Sequence, residues 1–400
     1  MATVMLGACG LFEGGETPEP EEEYLVSYSN VNAATVPIIK PVFTALEGQF
    51  PNLAGISEKV KYGVTVYRVS YNTTFMGTKV LASGLVSVPM GTGTFPLLSF
   101  QNGTNTLNSR APSVNPTDQL FSVIEMIASM GFVVTIPDYL GFGASSGLFH
   151  PYLHKQSTIT SVTDLHRAAG ELLKKLGMSS ITKDTYLMGY SQGGWATMAL
   201  KKEMETSLSG EYTLKASSCG AGPYDLTAVS SHILSQQTYP MPYFLAYMVN
   251  SYIKTNEITL TPGDIFNAPY SGVEYIATLF DGSHDAEYIN SKLSLTVNTL
   301  FKKEFLDNFA SGEKYAGFRT ALSRNSVEAW KTTTPTLIIH GIGDTFVPVT
   351  ASTDMIAGFK AVQVPTDLIT VSILPGLDHQ DAIMPWGVAS LKWLLDRRDD

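Results

Sequence analysis

The sequence predicts an α/β fold built on a mostly parallel sheet. Three observations predict it. Short, nearly continuous apolar runs recur at residues 96–100, 132–136, 185–188 and 336–339. Segments with helical spacing of apolar residues separate them, around 118–130 and 158–176. Apolar strands that alternate with helices imply βαβ units, with both faces of the sheet covered.

In chain order, residues 62–71 come first, alternating Val64, Val66 and Val69 with more polar neighbours. A second β-rich run, 80–89, follows after a short turn, so the two read as an antiparallel pair at one sheet edge. The parallel units follow. The rhythm resumes at 336–339 and 368–374, and closes with a helix around 382–395. Between these blocks, residues 226–330 break the pattern. They are rich in Tyr and Phe, mostly helical in spacing, and punctuated by Pro240, Pro242 and Pro262. About a hundred residues are too many for a plain connection. The expected organisation is therefore a core over 24–225 and 331–400, with an inserted helical cap over 226–330. The bland alternative for the insertion is an extra subdomain with no lid function.

The chain has 400 residues, 44% of them hydrophobic, which is ample for a sizeable core. No run of about 18 apolar residues offers a membrane-spanning helix. Lys and Arg number 26 against 36 Asp and Glu, a formal charge of -10, which repels phosphate backbones and argues against nucleic-acid binding. Two cysteines cannot make a disulfide scaffold, and no Cys/His cluster has zinc spacing. Cys219, in a run of small residues, is expected to be a buried thiol.

Chemistry enters at Gly189-Tyr190-Ser191-Gln192-Gly193, which fits G-x-S-x-G and is followed by Gly194. The motif alone is weak, but its context is specific. It follows the strand candidate 185–188 and precedes a helix beginning near Trp195. A sharp strand-to-helix turn crowds its neighbours, so small residues must flank the serine. The helix N-terminus beneath it offers free N–H groups to a developing oxyanion. The alternative is a tight glycine-rich turn with a passive serine.

A serine nucleophile needs a base, and seven histidines compete: His150, His154, His166, His232, His284, His340 and His379. The chain order Ser, acid, His of such an elbow requires a late base. His379 lies just after the last strand candidate and before the final helix. His340 ends a strand, where packing or a local bond is expected. The acid belongs on a loop between a strand and that histidine, and Asp344 in His340-Gly341-Ile342-Gly343-Asp344 fits. Its rival is Asp225, one strand earlier. Asp378, next to the base, reads as a turn or helix-cap residue. Asp138 and Tyr139 are expected to pack and hold loops. Asp164 and Arg167, three apart on a helix, are expected to pair.

At these residues the chain resembles the α/β-hydrolase superfamily, and more narrowly its secretory-lipase-like esterases with a helical cap. The resemblance runs from about Tyr62 to the end. Beyond the elbow it rests on Pro137-Asp138-Tyr139-Leu140-Gly141-Phe142-Gly143, His150-Pro151-Tyr152-Leu153 and Asp164-Leu165-His166-Arg167-Ala168. It implies an eight-stranded, mostly parallel sheet with helices on both faces, and a cap inserted after the sixth strand. It also implies the triad Ser191, Asp344 and His379. One oxyanion donor is expected to be the backbone N–H of Gln192. The second is expected from Gln101-Asn102-Gly103-Thr104-Asn105, with Thr104 favoured and Gly103 next. The family usually shows His-Gly or Asp-Gly there, whereas this chain has Asn102-Gly103.

The expected activity is carboxylic-ester hydrolysis through an acyl-enzyme on a small acyl-ester substrate, with no metal or organic cofactor. A peptidase of the same fold is the nearest alternative, and a non-catalytic surface binding protein the remote one. Leu6-Gly7-Ala8-Cys9 resembles a bacterial lipobox, although only eight residues precede the cysteine and none is basic. The Gly-, Pro- and Glu-rich stretch up to residue 23 reads as a disordered acidic tether. Together they suggest an exported protein, periplasmic or at the cell surface, with a lipid anchor through Cys9 as an option.

Overall fold

The computed structural model describes residues 24–177 and 179–399. The lipobox-like segment, Cys9 and the acidic tether lie outside them.

Nine strands form one sheet: β1 Leu25–Ala34, β2 Val64–Phe75, β3 Thr78–Pro89, β4 Gly93–Gln101, β5 Val133–Pro137, β6 Ser179–Tyr190, β7 Thr213–Gly220, β8 Thr336–Gly341 and β9 Ile369–Leu374. Their order is β1-β2-β3-β5-β4-β6-β7-β8-β9. The first three strands are antiparallel to their neighbours, and the six strands β4 through β9 run parallel to one another. Strands β2 to β9 are the eight the resemblance implies. The ninth, β1, corrects that count. It is an edge strand, mostly exposed, in which Ser, Asn and Tyr interrupt the apolar residues, and it has no apolar alternation to reveal it. By contrast every residue of β5 and β8 is buried, as parallel strands covered on both faces must be.

Helices α1 Val36–Gln49 and α2 Gln119–Met126 cover one face, together with the C-terminal helix, Ile383–Asp399. Phe43, Phe121, Phe132, Tyr186 and Trp386 share that core. The opposite face carries α3 Lys155–Leu176 and α4 Gln192–Glu205. Helix α3 stops at Gly177, whose left-handed φ of 63° lets its N–H close on the Leu173 and Lys174 carbonyls.

Between β7 and β8 come eight helices: α5 Leu226–Leu234, α6 Tyr243–Lys254, α7 Pro262–Ile265, α8 Val273–Leu279, α9 Ala286–Ser291, α10 Val297–Leu300, α11 Lys303–Asn308 and α12 Ala316–Asn325. Phe301, Phe305, Phe309, Tyr315 and Phe318 pack edge-on and tilted among them. The segment's two ends are tied together at its base. Leu226 N donates to Ser326 Oγ at 2.9 Å, and Val327 N to Tyr224 O at 2.8 Å. A staple of that kind lets a long segment be inserted without disturbing the strands it interrupts. Helix α13 Thr350–Ala361 and the closing helix, α14, complete the fold. Among the described residues no helix is long and apolar enough to cross a membrane.

Candidate active site

Ser191 sits on the bend between β6 and α4 with φ 59° and ψ -122°. A non-glycine residue held there is strained, and neighbours must enforce it. They do so by steric exclusion. A Cβ on Gly189 would strike the Gly193 carbonyl, one on Gly193 the Gln101 carbonyl, and one on Gly194 the Gly220 carbonyl. Only glycine lets the three backbones approach this closely. Ser191 N donates to Gly220 O at 2.9 Å, which pins the bend to β7.

His379 comes from the loop between β9 and α14. Its Nε2 is 2.9 Å from Ser191 Oγ, and its Nδ1 is 2.6 Å from Asp344 Oδ2. Tyr190 donates its hydroxyl to the His379 carbonyl at 2.7 Å, and the Phe346 ring lies against the imidazole at 5.1 Å. Asp344 Oδ1 accepts from the backbone of Phe346 and Val347 at 2.8 and 2.9 Å. Oδ2 also faces His340 Nε2 at 3.1 Å. Burial pushes the Asp344 carboxyl up, but the bonds from His340 and His379, His379's charge and the Val347 N–H outweigh it. The carboxyl is held at about 2. An ionised carboxylate only accepts, so both facing imidazole nitrogens carry protons, and His379 Nε2 is left free to accept from Ser191.

The structure thus brings Ser191, Asp344 and His379 together, sets His340 against Asp344, and leaves Asp225 and Asp378 in local caps. Asp225 caps α5, accepting from Thr227 N and Ala228 N at 2.9 Å each. Asp378 accepts from Gln380 N and Asp381 N. His340 bonds locally, with Nδ1 2.7 Å from Ser352 Oγ. Asp138 is buried and accepts from Ser113 N at 2.7 Å, with Ser83 Oγ and Ser113 Oγ both at 2.5 Å. Arg167 pairs with Asp164 at 2.7 Å and forks onto Glu211. Cys219 is a buried free thiol whose pKa burial raises to about 12.

Of the loop after β4, Gly103 lies beside Ser191: a Cβ there would stand 4.0 Å from that of the serine. The Thr104 hydroxyl instead meets Tyr152 Oη at 3.0 Å. Gln192 opens α4, so its amide belongs to the unpaired first turn. A narrow cleft, with a free volume of only about 30 Å³, lies over Ser191 and Gln192. Val229 and Ile233 of α5, Leu245 and Met248 of α6, and Phe346 make it apolar, and none of its lining residues carries a charge.

The local support was not legible in advance. His340 as a second donor to Asp344, and the Tyr190 hydroxyl on the His379 carbonyl, are contacts between separate elements. Their only trace was a histidine at a strand end and an aromatic inside the elbow.

Fold and site together define an α/β-hydrolase. A model of the secretory lipase family matches residues 109–260. The rice cell wall degrading esterase LipA from Xanthomonas oryzae superposes with a TM-score of 0.78 at 26% identity, covering 94% of this chain and 97% of that one. A protein from Legionella pneumophila gives 0.79 at 24% identity, with the same coverages of 94% and 97%. Candida antarctica lipase A gives 0.65 at 18% identity, covering 93% and 81%. No curated protein matches by sequence. The chain is a carboxylic ester hydrolase of the lipase and esterase kind, and the match to a secretory family points to export.

Proposed function

We propose that the chain hydrolyses esters with an apolar acyl group by a Ser191–His379–Asp344 relay through an acyl-enzyme. One observation carries the reading: the unbroken run of hydrogen bonds from Ser191 Oγ through His379 to Asp344, 2.9 and 2.6 Å long, anchored on a strained serine. The Ser191 hydroxyl attacks the ester carbonyl as His379 Nε2 takes its proton. Asp344 stabilises the imidazolium without itself being protonated. The backbone amide of Gln192, with that of Gly103 or Thr104, receives the oxyanion, and the alcohol leaves with the proton from His379. Water then repeats the sequence on the acyl-enzyme.

The helices of residues 226–330 act as a cap in this reading, because α5 and α6 supply most of the apolar cleft wall. A peptidase would need a charged anchor for a peptide terminus, and the uncharged lining favours an ester. Lipid attachment at Cys9 would place the enzyme on a membrane facing outside the cytoplasm. Incorporation of labelled palmitate by the natural precursor, and its loss in Cys9→Ala, tests that part.

The test of the activity is a panel of p-nitrophenyl esters of rising chain length beside aminoacyl p-nitroanilides. Turnover of esters is expected. Turnover of the anilides alone would favour the peptidase. No turnover of either, with no fluorophosphonate labelling, would leave a binding protein.

A further inference from the structure

The two halves of the oxyanion site come from different strands. Residues 102–105 follow β4, and Gln192 follows β6. One intervening stretch, between β5 and α3, grips both. Tyr139 donates its hydroxyl to the Asn102 carbonyl at 3.2 Å. Tyr152 Oη meets Thr104 Oγ1 at 3.0 Å. His150 Nε2 lies 3.2 Å from Gln192 Nε2.

The direction of that last bond follows from its neighbour. His150 Nδ1 is 2.7 Å from the Leu140 carbonyl, which can only accept, so Nδ1 carries the proton. Nε2 is then an acceptor, and Gln192 donates to it. Gln192 is 1% exposed and its Oε1 has no partner, so this is the side chain's one polar tether among the described residues. The imidazole cannot swing away. It is buried against the rings of Tyr139, Phe142, Tyr152 and Tyr247 at centroid distances of 5.0 to 6.0 Å. Tyr139 itself is held at φ 65°, so the stretch stores strain where it grips.

We propose that His150 is a positioning residue for the oxyanion site: by tethering Gln192 while Tyr139 and Tyr152 hold Asn102 and Thr104, it fixes the spacing between the two halves. The inference rests on the serine-hydrolase reading and adds to it a residue that touches neither substrate nor nucleophile. Burial lowers the His150 pKa to about 4, so the ring stays neutral and the acceptor persists through the pH range in which such chemistry runs. An oxyanion donor displaced by a few tenths of an ångström loses its transition-state bond and leaves ground-state binding nearly untouched.

The experiment compares His150→Phe, which removes the acceptor, with His150→Gln, which offers an amide oxygen in its place. Both are measured against wild type on a short p-nitrophenyl ester and with a trifluoromethyl ketone that forms an oxyanion adduct. For H150F, kcat is expected to fall about 30-fold or more, with KM within about threefold. The ketone's affinity should fall in step with kcat/KM, and H150Q should recover about tenfold of the loss. A folded H150F with kcat and ketone affinity both within about threefold of wild type overturns the proposal. If H150F does not fold, Tyr152→Phe decides, since it removes only one oxygen. A parallel fall in kcat and ketone affinity supports the brace, and no change in either refutes it. Wild type that neither turns over esters nor reacts with a fluorophosphonate would instead remove the reading underneath.

Discussion

Asp344 and His379, 35 residues apart in the chain, meet at 2.6 Å between Oδ2 and Nδ1, and that same oxygen faces His340 Nε2 at 3.1 Å. One carboxylate therefore accepts from two imidazoles and two backbone amides, which fixes it in place as well as in charge. In Asp344→Asn the amide would present a donor or a weaker acceptor to His379 and allow the wrong tautomer. A loss of about 10³- to 10⁴-fold in kcat is expected, with KM little changed. Steady-state ester hydrolysis checks it, and near-normal rates would return the role to Asp225.

The same carboxylate makes a pH prediction for stability. Its folded pKa, about 2, lies below the ordinary 3.8. Its contribution is therefore full above the ordinary value and lost as pH falls towards about 2. Urea denaturation of wild type should steepen across that interval, and D344N should show a flatter profile there.

Glu125 predicts the opposite slope. It is buried in α2, its Oε1 has no partner, and burial raises its pKa to about 8 even though Asn32 hydrogen-bonds to it. The folded state keeps a proton that the unfolded state releases near 4.5, so stability is greatest below that value and declines as pH rises towards 8. Glu125→Gln should remove a decline of ~2 kcal/mol, allowing for solvent screening, measured as ΔG of unfolding at pH 5 and pH 8. An equal decline in the variant would place its origin elsewhere.

Lys201 is completely buried, and its Nζ meets Glu205 Oε1 at 2.9 Å and Thr334 O at 3.0 Å. Glu205 also accepts from Trp330 Nε1 at 2.6 Å and Thr332 Oγ1 at 2.9 Å. This cluster ties α4, which begins just after Ser191, to the segment entering β8, which leads to Asp344. Lys201→Met would leave a buried carboxylate without its cation and should cost about 3–5 kcal/mol of stability. Chemical denaturation measures it. A loss below about 1 kcal/mol would mean that Trp330 and Thr332 suffice.

Gly193→Ala tests the steric account of the elbow. The added methyl would run into the Gln101 carbonyl, just ahead of residues 102–105. Even if the variant folds, the loop must shift, and kcat is expected to fall at least 10²-fold. Unchanged activity would show that the backbones can separate freely.

The parallel strands were legible because burial on both faces leaves continuous apolar runs, as at Val133–Pro137. Ser191, Asp344 and His379 could be picked out because each sits on a turn after a strand, where chain order constrains the choice. Strand β1 was not legible. Exposed as an edge, it sets Ser, Tyr and Asn between Val26 and Val31 and carries no periodic apolar pattern. Strand β7 was hidden for another reason: Ala216, Ser217, Ser218, Cys219 and Gly220 are small because α4 and α14 press against them, so they lack the branched residues that mark a strand. The tethers on Gln192 and Asp344 join residues distant in sequence, and no local pattern encodes such a meeting.

The most direct test is the site of covalent capture. Wild type and Ser191→Ala are each incubated with a fluorophosphonate, followed by intact mass, peptide mapping and ester turnover. One adduct per chain on Ser191 is expected, matching loss of turnover, with neither labelling nor hydrolysis in S191A. An adduct on another residue, or ester hydrolysis retained by S191A, would contradict it.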